Sequence, residues 1–499
     1  FRSSRTRRVR NRQSTPRTSS MPDTHTTDQK ADTSESTASQ PVTGSRTDRL
    51  QEFLDAPRRA LWIMALPMIA GMAVHTMYIV ADTAFIGSLG TDELAAATFV
   101  APLFFLMIAL TMGLGTAVTA VVAQSVGRGD SDGADAAAGT AISSGLFLGV
   151  LFGGVGLASG RWMLAALGAE GRVVDLGWEY FQVLAAFMPL FFVSSVLRSI
   201  LAGEGDAKTP MIVLTISTLA NIALDALFIL VLGMGLRGAA IATTLAVVIS
   251  VTVFAVLLLR RKTAFVRLRV SALIPSREVL VKLYGLAIPI AASMVVMSAG
   301  SILFNLILAD FGSVAVAAYG AASKVDMIVV LPIFGLSGAA VTVVGMFAGA
   351  GRSDLVRSTA LYTYWWAITL AAVIGGTAFL TSGSILRIFT SDPTALAIGS
   401  TYLGFMVFSY PMMAVGMTTG RLLQGLGHGF PALFITTLRV LLVGVPVAWL
   451  AVSVFDQSIK GVWIGILTGG VCATICSVLM VRQLMWRSDP TLKAVAAGV

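Results

Sequence analysis

Residues 60–90 read ALWIMALPMIAGMAVHTMYIVADTAFIGSLG, and residues 282–312, which lie 222 positions later, read KLYGLAIPIAASMVVMSAGSILFNLILADFG. Each stretch contains an apolar run of about 20 residues, the length of a helix that crosses a lipid bilayer. Pro67 and Gly90 of the first stretch recur as Pro289 and Gly312 of the second. The same offset relates further pairs along the chain: Tyr180 and Tyr402, Pro189 and Pro411, Gly203 and Gly425, and Gly205 and Gly427. The sequence therefore predicts a scaffold that is built twice.

The composition indicates that this scaffold lies in a membrane. Of the 499 residues, 56% are hydrophobic and 12% are charged, whereas soluble domains carry about 25% charged residues. In lipid, only helices and closed barrels satisfy every backbone hydrogen bond, and the continuous apolar runs lack the alternation of barrel strands. We therefore predict an all-α membrane protein.

Twelve apolar segments, six in each copy, predict twelve transmembrane helices in two pseudo-symmetric six-helix lobes. The segments cover approximately residues 60–86, 94–125, 134–158, 174–201, 210–232, 236–259, 281–309, 314–348, 356–381, 394–422, 431–454 and 460–485. The predicted domains are a disordered tail (1–55), an N-terminal lobe with a cation-coupling site (56–262, the N-lobe), a basic cytoplasmic linker (263–280), a C-terminal lobe (281–487, the C-lobe) and a cytoplasmic C-terminal tail (488–499).

The first residues of the chain are basic and polar. Residues 1–20 hold seven Arg and no acidic residue, so most of the net charge of +9 belongs to this end and gives no support for nucleic-acid binding. A stretch so poor in large apolar residues is expected to be disordered. We expect Met21 to be the native start, with an organelle transit peptide as the alternative interpretation.

The charge distribution predicts how the helices cross the membrane. The connection between the two copies, residues 260–282, is rich in Lys and Arg and is therefore expected to face the cytoplasm. An even number of spans then places both termini in the cytoplasm of a multi-pass cell-membrane (inner or plasma membrane) protein. Because six spans separate the starts of the copies, both have the same orientation. Such parallel repeats about an axis along the membrane normal are typical of transporters, whose binding sites lie near the midplane.

Asp82 is an acidic residue inside the first predicted span, and its counterpart in the second copy is Phe304. A charged Asp near the bilayer centre costs about 2.5–3.5 kcal/mol, and removal from water disfavours the ionised form. Such a carboxyl can bind and release a proton, or it can ligate Na⁺ when ionised. The alternative is an Asp near a helix end that reaches the outer interface. The apolar counterpart in a repeated scaffold favours the functional interpretation.

Two further residues share a helix face with Asp82. His75 and Tyr78 precede it by seven and four residues, which is helical spacing. His75 is either a hydrogen-bonded core histidine or a proton relay to Asp82. Tyr78 is a candidate residue of the substrate cavity.

Asn221 and Asp225 lie one helical turn apart in the fifth span. Their oxygens suit a small cation, or they can form hydrogen bonds to a protonated Asp. Thr243 in the sixth span and Tyr180 in the fourth are candidates to complete the same pocket. Tyr180 recurs as Tyr402, so a structural role is equally consistent with its pattern.

Charged residues elsewhere in the chain are given mainly structural interpretations. Lys324 and Asp326 replace Pro102 and Phe104 of the first copy, and they predict either a local ion pair or contacts with the substrate. Four other charged residues are expected to be solvated in a turn or to extend to the membrane surface from helix ends: Glu204, Asp206, Arg421 and Arg439.

Taken in order, five motifs resemble those of the multidrug and toxic compound extrusion (MATE) family, and of its prokaryotic DinF-type branch in particular. They are residues 65–67 (ALP), 82–90 (DTAFIGSLG), 127–130 (GRGD), 201–210 (LAGEGDAKTP) and 221–225 (NIALD). The resemblance covers about residues 57–487. It implies two six-helix lobes around a V-shaped cleft that opens alternately to the two sides of the membrane.

The resemblance also implies roles for particular residues. The aspartate that matches Asp82 couples transport to H⁺ or Na⁺, and the pocket is completed by the positions that match Tyr180, Asn221, Asp225 and Thr243. The proline that matches Pro67 lets the first helix bend, as expected of a residue that lacks an N–H. Two departures favour H⁺: His75 stands where a glutamine is expected, and Ile79 stands where an asparagine is frequent.

These observations lead to the hypothesis of a secondary active antiporter that exports lipophilic, often cationic, small molecules in exchange for H⁺ or Na⁺. If Na⁺ is the ion, Asp82, Asn221, Asp225 and Thr243 are its predicted ligands. We expect no cofactor besides the coupling ion, and a monomer whose partners are its substrates and the lipid bilayer.

Two other functions fit the residues less well. A flippase of the same superfamily for lipid-linked precursors would need basic residues in its cavity, whereas the interior of the N-lobe offers acids. An intramembrane aspartyl protease would need two adjacent carboxylates, but Asp82 and Asp206 are predicted near opposite membrane surfaces. We therefore expect a protein that is not an enzyme.

Overall fold

The computed structural model describes residues 48–260, 265–267, 273–454 and 458–484. The predictions for residues 1–47, for residues 263–264 and 268–272 of the basic linker and for the C-terminal tail fall outside these described residues. The predicted disordered tail extended to residue 55, but Asp48–Asp55 form a short helix, α1, in which Phe53 is buried. The helical part of the chain therefore begins before the predicted boundary of the N-lobe.

The described residues form helices and connecting turns, without any strand, which confirms the all-α prediction. The N-lobe contains α2 (Pro57–Gly87), α3 (Thr91–Arg128), α4 (Ser131–Ala166), α5 (Arg172–Ala186), α6 (Met188–Gly203), α7 (Lys208–Asp225) with a π-helical extension (Ala226–Val231), and α8 (Gly235–Arg260). The C-lobe contains α9 (Arg277–Ala309), α10 (Ser313–Gly349), α11 (Ser353–Leu380), α12 (Ser382–Leu386), α13 (Pro393–Gly425), α14 (Phe430–Thr437), a π-helical segment (Leu438–Gly444), α15 (Val445–Ser453) and α16 (Lys460–Leu484).

Eleven helical segments of the described chain are long and apolar enough to cross a membrane, and the number is twelve when the bent pair α5–α6 is counted as one broken span. The sequence predicts one continuous fourth span over residues 174–201, but the helix is broken there, and α5 and α6 are bent by 50° at Phe187. Pro189 lies in the first turn of α6, where its missing N–H cannot continue the hydrogen bonds of α5. Its counterpart Pro411 lies inside the unbroken helix α13. The same residue in the repeat therefore breaks one span and not the other.

The interface between the lobes contains two equivalent close contacts, each between a glycine and a backbone carbonyl oxygen. A Cβ atom on Gly127 of α3 would lie 2.1 Å from the carbonyl oxygen of Met346. A Cβ atom on Gly349 of α10 would lie 2.2 Å from the carbonyl oxygen of Gln124. Gly127 and Gly349 are 222 positions apart in the sequence, and so are Gln124 and Met346. The two contacts are therefore related by a pseudo-twofold axis between α3 and α10.

A second pair of contacts obeys the same symmetry. A Cβ atom on Gly113 would lie 3.0 Å from the Cβ atom of Ala291 on α9, and one on Gly335 would lie 3.1 Å from the Cα atom of Ile69 on α2. Gly113 and Gly335 differ by 222 positions, as do Ile69 and Ala291. These contacts confirm the predicted parallel repeat, because each lobe presents the same small residues to its partner.

The lobes pack tightly near one end only of the helices α3 and α10. Nearly all residues from Leu114 to Gly127 and from Ile333 to Gly349 are buried, whereas apolar residues in the first halves of both helices are exposed. We call the well-packed end, where Gly127 and Gly349 lie, the packed end, and the opposite end the open end. The side chain of Gln124 donates to the carbonyl oxygen of Gly425 across the packed end at 2.8 Å.

Arg421 belongs to this interface and does not extend to the membrane surface as predicted. Only 9% of the residue is exposed, and its guanidinium lies 4.3 Å from the ring centroid of Phe334. It donates to the hydroxyl of Thr116 in the N-lobe at 3.1 Å. The prediction was wrong because this end of α13 is covered by α3, so the side chain meets the other lobe before it can reach water.

The turn between α6 and α7 is also more ordered than predicted. Glu204 and Asp206 are buried, although the sequence indicated solvated charges. Asp206 accepts from the backbone N–H of Thr209 at 3.0 Å and from its hydroxyl at 2.7 Å, which satisfies a free donor at the start of α7. Glu204 accepts from the backbone N–H of Val266 at 2.5 Å. These carboxylates are buried because backbone groups bind them, and one of them fixes the described part of the linker to the N-lobe.

Candidate functional site

Four helices of the N-lobe bring the predicted coupling residues together towards the open end. Helices α2 and α7 pack against each other, and α8 packs against α2, α5 and α7. The residues that these helices contribute are Tyr78 and Asp82 from α2, Tyr180 from α5, Asn221 and Asp225 from α7, and Thr243 from α8. Residues separated by up to 165 positions in the sequence thus form one polar cluster, which we call the N-lobe cluster.

Asn221 and Asp225 form the buried base of the N-lobe cluster. They lie one turn apart on α7, and their exposed fractions are 1% and 0%. In the amide orientation that satisfies its hydrogen bonds, the nitrogen of Asn221 donates to Asp225 Oδ2 at 3.0 Å, and its oxygen accepts from the backbone N–H of Thr243 at 3.2 Å. The bond from Asn221 satisfies one oxygen of the Asp225 carboxylate. The other oxygen, Asp225 Oδ1, is buried and has no hydrogen-bond partner among the described residues.

Asp82 approaches the same place from α2. Its Oδ1 atom is also buried without a hydrogen-bond partner among the described residues, and its charge lies within electrostatic range of Asp225. Tyr78, one turn earlier on α2, places its hydroxyl 3.4 Å from the hydroxyl of Thr243. Tyr180 lies within electrostatic range of both carboxylates, on the α5 side of the N-lobe cluster.

Two carboxylates with unsatisfied oxygens in an apolar interior form an arrangement of high free energy, since buried charges need partners. A proton on either oxygen removes one charge and supplies a donor. A sodium ion would instead need several oxygens around it, and Asp82, Asp225 and the hydroxyl of Thr243 are the available groups. The amide oxygen of Asn221 is already bound to a backbone N–H. Among the described residues, no group of three or more His, Cys, Asp or Glu side chains could hold a metal ion.

His75 and Pro67 lie on α2 outside this set of contacts. The ring of His75 meets the ring of Tyr78 edge-on, with centroids 5.8 Å apart, and the residue is exposed. Its contact is therefore with Tyr78, one turn away from Asp82. Pro67 lies inside α2, which is helical from Pro57 to Gly87. Bending at Pro67 stays a prediction.

Asp326 forms a second polar cluster in the C-lobe, and Lys324 does not belong to it. Tyr402 donates to Asp326 Oδ2 at 2.5 Å, and Tyr410 donates to Oδ1 at 2.6 Å. Lys324 is exposed and forms no ion pair with Asp326. The predicted local ion pair was wrong because residues two positions apart on a helix project in different directions.

The sequence argument missed the two tyrosines that hold Asp326. Tyr402 was considered only as the counterpart of Tyr180, and Tyr410 was not considered. Their separation by eight residues places both hydroxyls on one face of α13. This spacing was a usable signal, but it becomes specific only when α10 is known to pack against α13.

Comparisons with known proteins match both lobes. The family model described as MatE matches residues 67–227 and 289–450, and the two matches begin 222 positions apart. The probable multidrug resistance protein NorM of Thermotoga maritima is 25% identical over 441 residues, which cover 87% of this chain and 94% of the relative. The probable multidrug resistance protein YoeA of Bacillus subtilis is 27% identical over 416 residues, which cover 82% and 89%.

One solved structure illustrates the likeness of the fold. It is described as the outward-facing conformation of a multidrug resistance MATE family transporter of the MOP superfamily, and its sequence is 29% identical to this chain. The TM-score is 0.84, and the superposition covers 91% of this chain and all of the other. The likeness of the fold therefore extends over both lobes.

Proposed function

We propose that this chain, which belongs to the MatE family of multidrug efflux transporters, is an antiporter that exports lipophilic or cationic small molecules in exchange for protons. The relatives and structural neighbours described above are transporters and not enzymes. The proton coupling, the class of substrate and the residues that carry the exchange are the parts that we propose.

The observation that carries the proposal is the pair of unsatisfied carboxylate oxygens in the N-lobe cluster. Asp82 Oδ1 and Asp225 Oδ1 are both buried without a hydrogen-bond partner among the described residues, and the two charges repel each other across the pocket. Binding of one proton relieves this repulsion, so the charge of the pocket depends on proton binding. A cationic substrate relieves the same repulsion. Proton and substrate therefore favour each other's release, which is the requirement for antiport.

H⁺ is favoured over Na⁺ because of the number of free ligands. A proton needs a single acceptor oxygen, and each carboxylate offers one. A Na⁺ site needs several oxygens at once, and the amide oxygen of Asn221 already accepts from the backbone N–H of Thr243, which leaves it a single lone pair. The exposure of His75 and its contact with Tyr78 support a role for this histidine beside the pocket rather than as a direct relay to Asp82.

We further propose that the packed end faces the cytoplasm, so that both termini are cytoplasmic and the structure is outward-open. Arg58, Arg128 and Arg352 lie at or near the packed end, and residues 87–90 and 310–313 at the open end contain no Lys or Arg. This distribution agrees with the positive-inside rule. Export then requires the contacts between Gly127 and Met346 and their symmetric counterparts to separate, while the two lobes close at the open end.

Transport by reconstituted protein tests the proposal. Purified protein in liposomes is given ethidium and either a pH gradient or a Na⁺ gradient, each imposed separately. We expect the pH gradient alone to drive ethidium movement, and we expect Asp82→Asn to abolish this movement while the protein reconstitutes normally. Transport driven by Na⁺ alone would overturn the choice of ion. Full proton-driven transport by Asp82→Asn would overturn the role of Asp82.

A further inference from the structure

The C-lobe contains a cavity of about 220 Å³ that the proposed coupling site does not use. Most of its wall is apolar or aromatic, and its lining includes Met297, Phe304, Tyr319, Met406 and Met413. Met297 is 46% exposed, so the cavity is reachable from the surface of the helical bundle. Two charged side chains also line it, Asp326 and Arg439. We call it the C-lobe cavity.

Arg439 is a charged residue without a charged partner inside a membrane span. None of the described residues accepts a hydrogen bond from its guanidinium or forms an ion pair with it. Asp326 lines the same cavity, but its two oxygens accept from Tyr402 and Tyr410 instead. An isolated charge at this depth is costly and typically marks a pathway or a ligand site. The sequence-based expectation that Arg439 extends from a helix end to the membrane surface was therefore wrong.

The backbone around Arg439 is irregular and closely packed. Pro446 lacks an N–H, and the preceding residues Leu438–Gly444 are π-helical. Such segments frequently occur at functional sites. A Cβ atom on Gly469 of α16 would lie 2.2 Å from the carbonyl oxygen of Arg439, so α16 packs directly against this turn. In the N-lobe the residue 222 positions earlier is Ser217. The repeated scaffold therefore does not require an arginine here.

We propose that the C-lobe cavity binds the carboxylate group of amphipathic aromatic compounds, with Arg439 as the counter-ion. The planar guanidinium matches a carboxylate with two parallel hydrogen bonds. Tyr319 and Phe304 provide an aromatic surface for the rest of the ligand. Asp326 forms no ion pair with Arg439, and its oxygens accept from the tyrosines instead. The inference rests on the proposed export function and assigns the carboxylate end of such a compound to the C-lobe cavity.

A matched pair of fluorescent ligands tests the site without any transport measurement. The pair is 7-methoxycoumarin-3-carboxylate and its methyl ester, which differ in the charged group. Both are titrated into purified protein in lipid nanodiscs, with empty nanodiscs as the background. We expect the wild-type protein to bind the carboxylate at least about tenfold more tightly than the ester, as hydrogen bonds between charged groups allow. Equal affinities for the two compounds would overturn the proposal.

Substitution of the arginine assigns the preference to one residue. Arg439→Gln is expected to remove the preference for the carboxylate and to leave the affinity for the ester within about twofold of the wild-type value. Arg352→Gln is the matched control, because Arg352 is exposed and pairs with Asp354 far from the cavity; it should keep the full preference. An Arg439→Gln protein that still prefers the carboxylate would contradict the site. If that protein does not fold, Arg439→Lys should show a reduced preference, and an unchanged one would overturn the assignment.

The experiments distinguish a failure of the proposed carboxylate site from a failure of the proposed antiporter function. If the carboxylate preference depends on Arg439 but no gradient drives transport of ethidium or of either coumarin, the antiporter proposal fails and the binding site stands. If a pH gradient drives ethidium transport but the coumarins show no preference, the site fails and the antiporter proposal stands.

Discussion

The two lobes share a scaffold but treat their buried carboxylates in opposite ways. In the N-lobe, Asp82 and Asp225 each keep one oxygen without a hydrogen-bond partner among the described residues. In the C-lobe, both oxygens of Asp326 accept from tyrosine hydroxyls. A proton on an oxygen without a hydrogen-bond partner displaces no existing bond, whereas a proton on Asp326 competes with the two tyrosine hydroxyls, whose bonds favour the ionised form. The comparison teaches that a buried acid alone does not distinguish the lobes: the carboxylate oxygens without partners, on which the proposed ion exchange depends, belong to the N-lobe.

The glycine contacts at the packed end offer the largest expected effect. Gly127→Ala and Gly349→Ala each place a Cβ atom against a backbone carbonyl, at 2.1 and 2.2 Å. We expect either change to destabilise the packed end by about 1–3 kcal/mol or more, because backbone cannot yield as a side chain does. Gly154→Ala and Gly376→Ala are matched controls, since no atom lies within 4 Å of the added group.

Thermal unfolding in detergent and spin-label distances across the packed end measure this effect. Equal losses at Gly127 and Gly349 are expected from the pseudo-twofold symmetry. A loss of stability in only one of the two variants would show that the two symmetry-related contacts do not stabilise the interface equally.

Tyr180 and Tyr402 occupy the same position of the repeat and sharpen the comparison of the two clusters. Tyr402→Phe removes a hydrogen bond to a carboxylate, and we expect a stability loss of about 1.5–3 kcal/mol. No hydrogen bond of the Tyr180 side chain is present among the described residues, so Tyr180→Phe should change stability by less than about 0.5 kcal/mol. Thermal unfolding of the two variants compares them directly. A larger loss for Tyr180→Phe would reverse the assignment of the structural tyrosine.

The smallest expected effect separates Lys324 from its neighbour Asp326. Lys324 is exposed and makes no ion pair with Asp326. Lys324→Gln should therefore change the free energy of unfolding by less than about 0.5 kcal/mol, and it should leave ethidium transport nearly unchanged. A loss comparable to that of Tyr402→Phe would revive the interpretation that the two charges act as a pair.

Most of the fold could be predicted from the sequence because apolar length and repetition are local signals. The twelve spans and the pairing of Gly203 with Gly425 follow from them directly. The break at Phe187 could not be predicted from Pro189, because its counterpart Pro411 is accommodated inside an unbroken helix. Whether the helix breaks at the proline depends on how it packs against its neighbours, and the sequence around the proline does not show this packing.

The N-lobe cluster could be predicted from the sequence, whereas the polar cluster around Asp326 in the C-lobe could not. An acid opposite Phe304 in the repeat is conspicuous, and Asn221 and Asp225 stand out as two polar residues one helical turn apart in an apolar span. That both oxygens of Asp326 accept hydrogen bonds depends on Tyr410. The proposed ligand site at Arg439 depends on the C-lobe cavity. Both are contacts between distant helices that leave no pattern in the sequence around the charged residue.

Proton release on substrate binding tests most directly whether ion exchange belongs to the N-lobe carboxylates. Ethidium is added to purified protein in weakly buffered detergent solution, and the pH change is followed for the wild-type protein, Asp82→Asn and Asp326→Asn. We predict that the wild-type protein and Asp326→Asn release protons when ethidium binds and that Asp82→Asn releases none. Proton release by Asp82→Asn, or its loss in a folded Asp326→Asn protein, would contradict the assignment of ion exchange to the N-lobe.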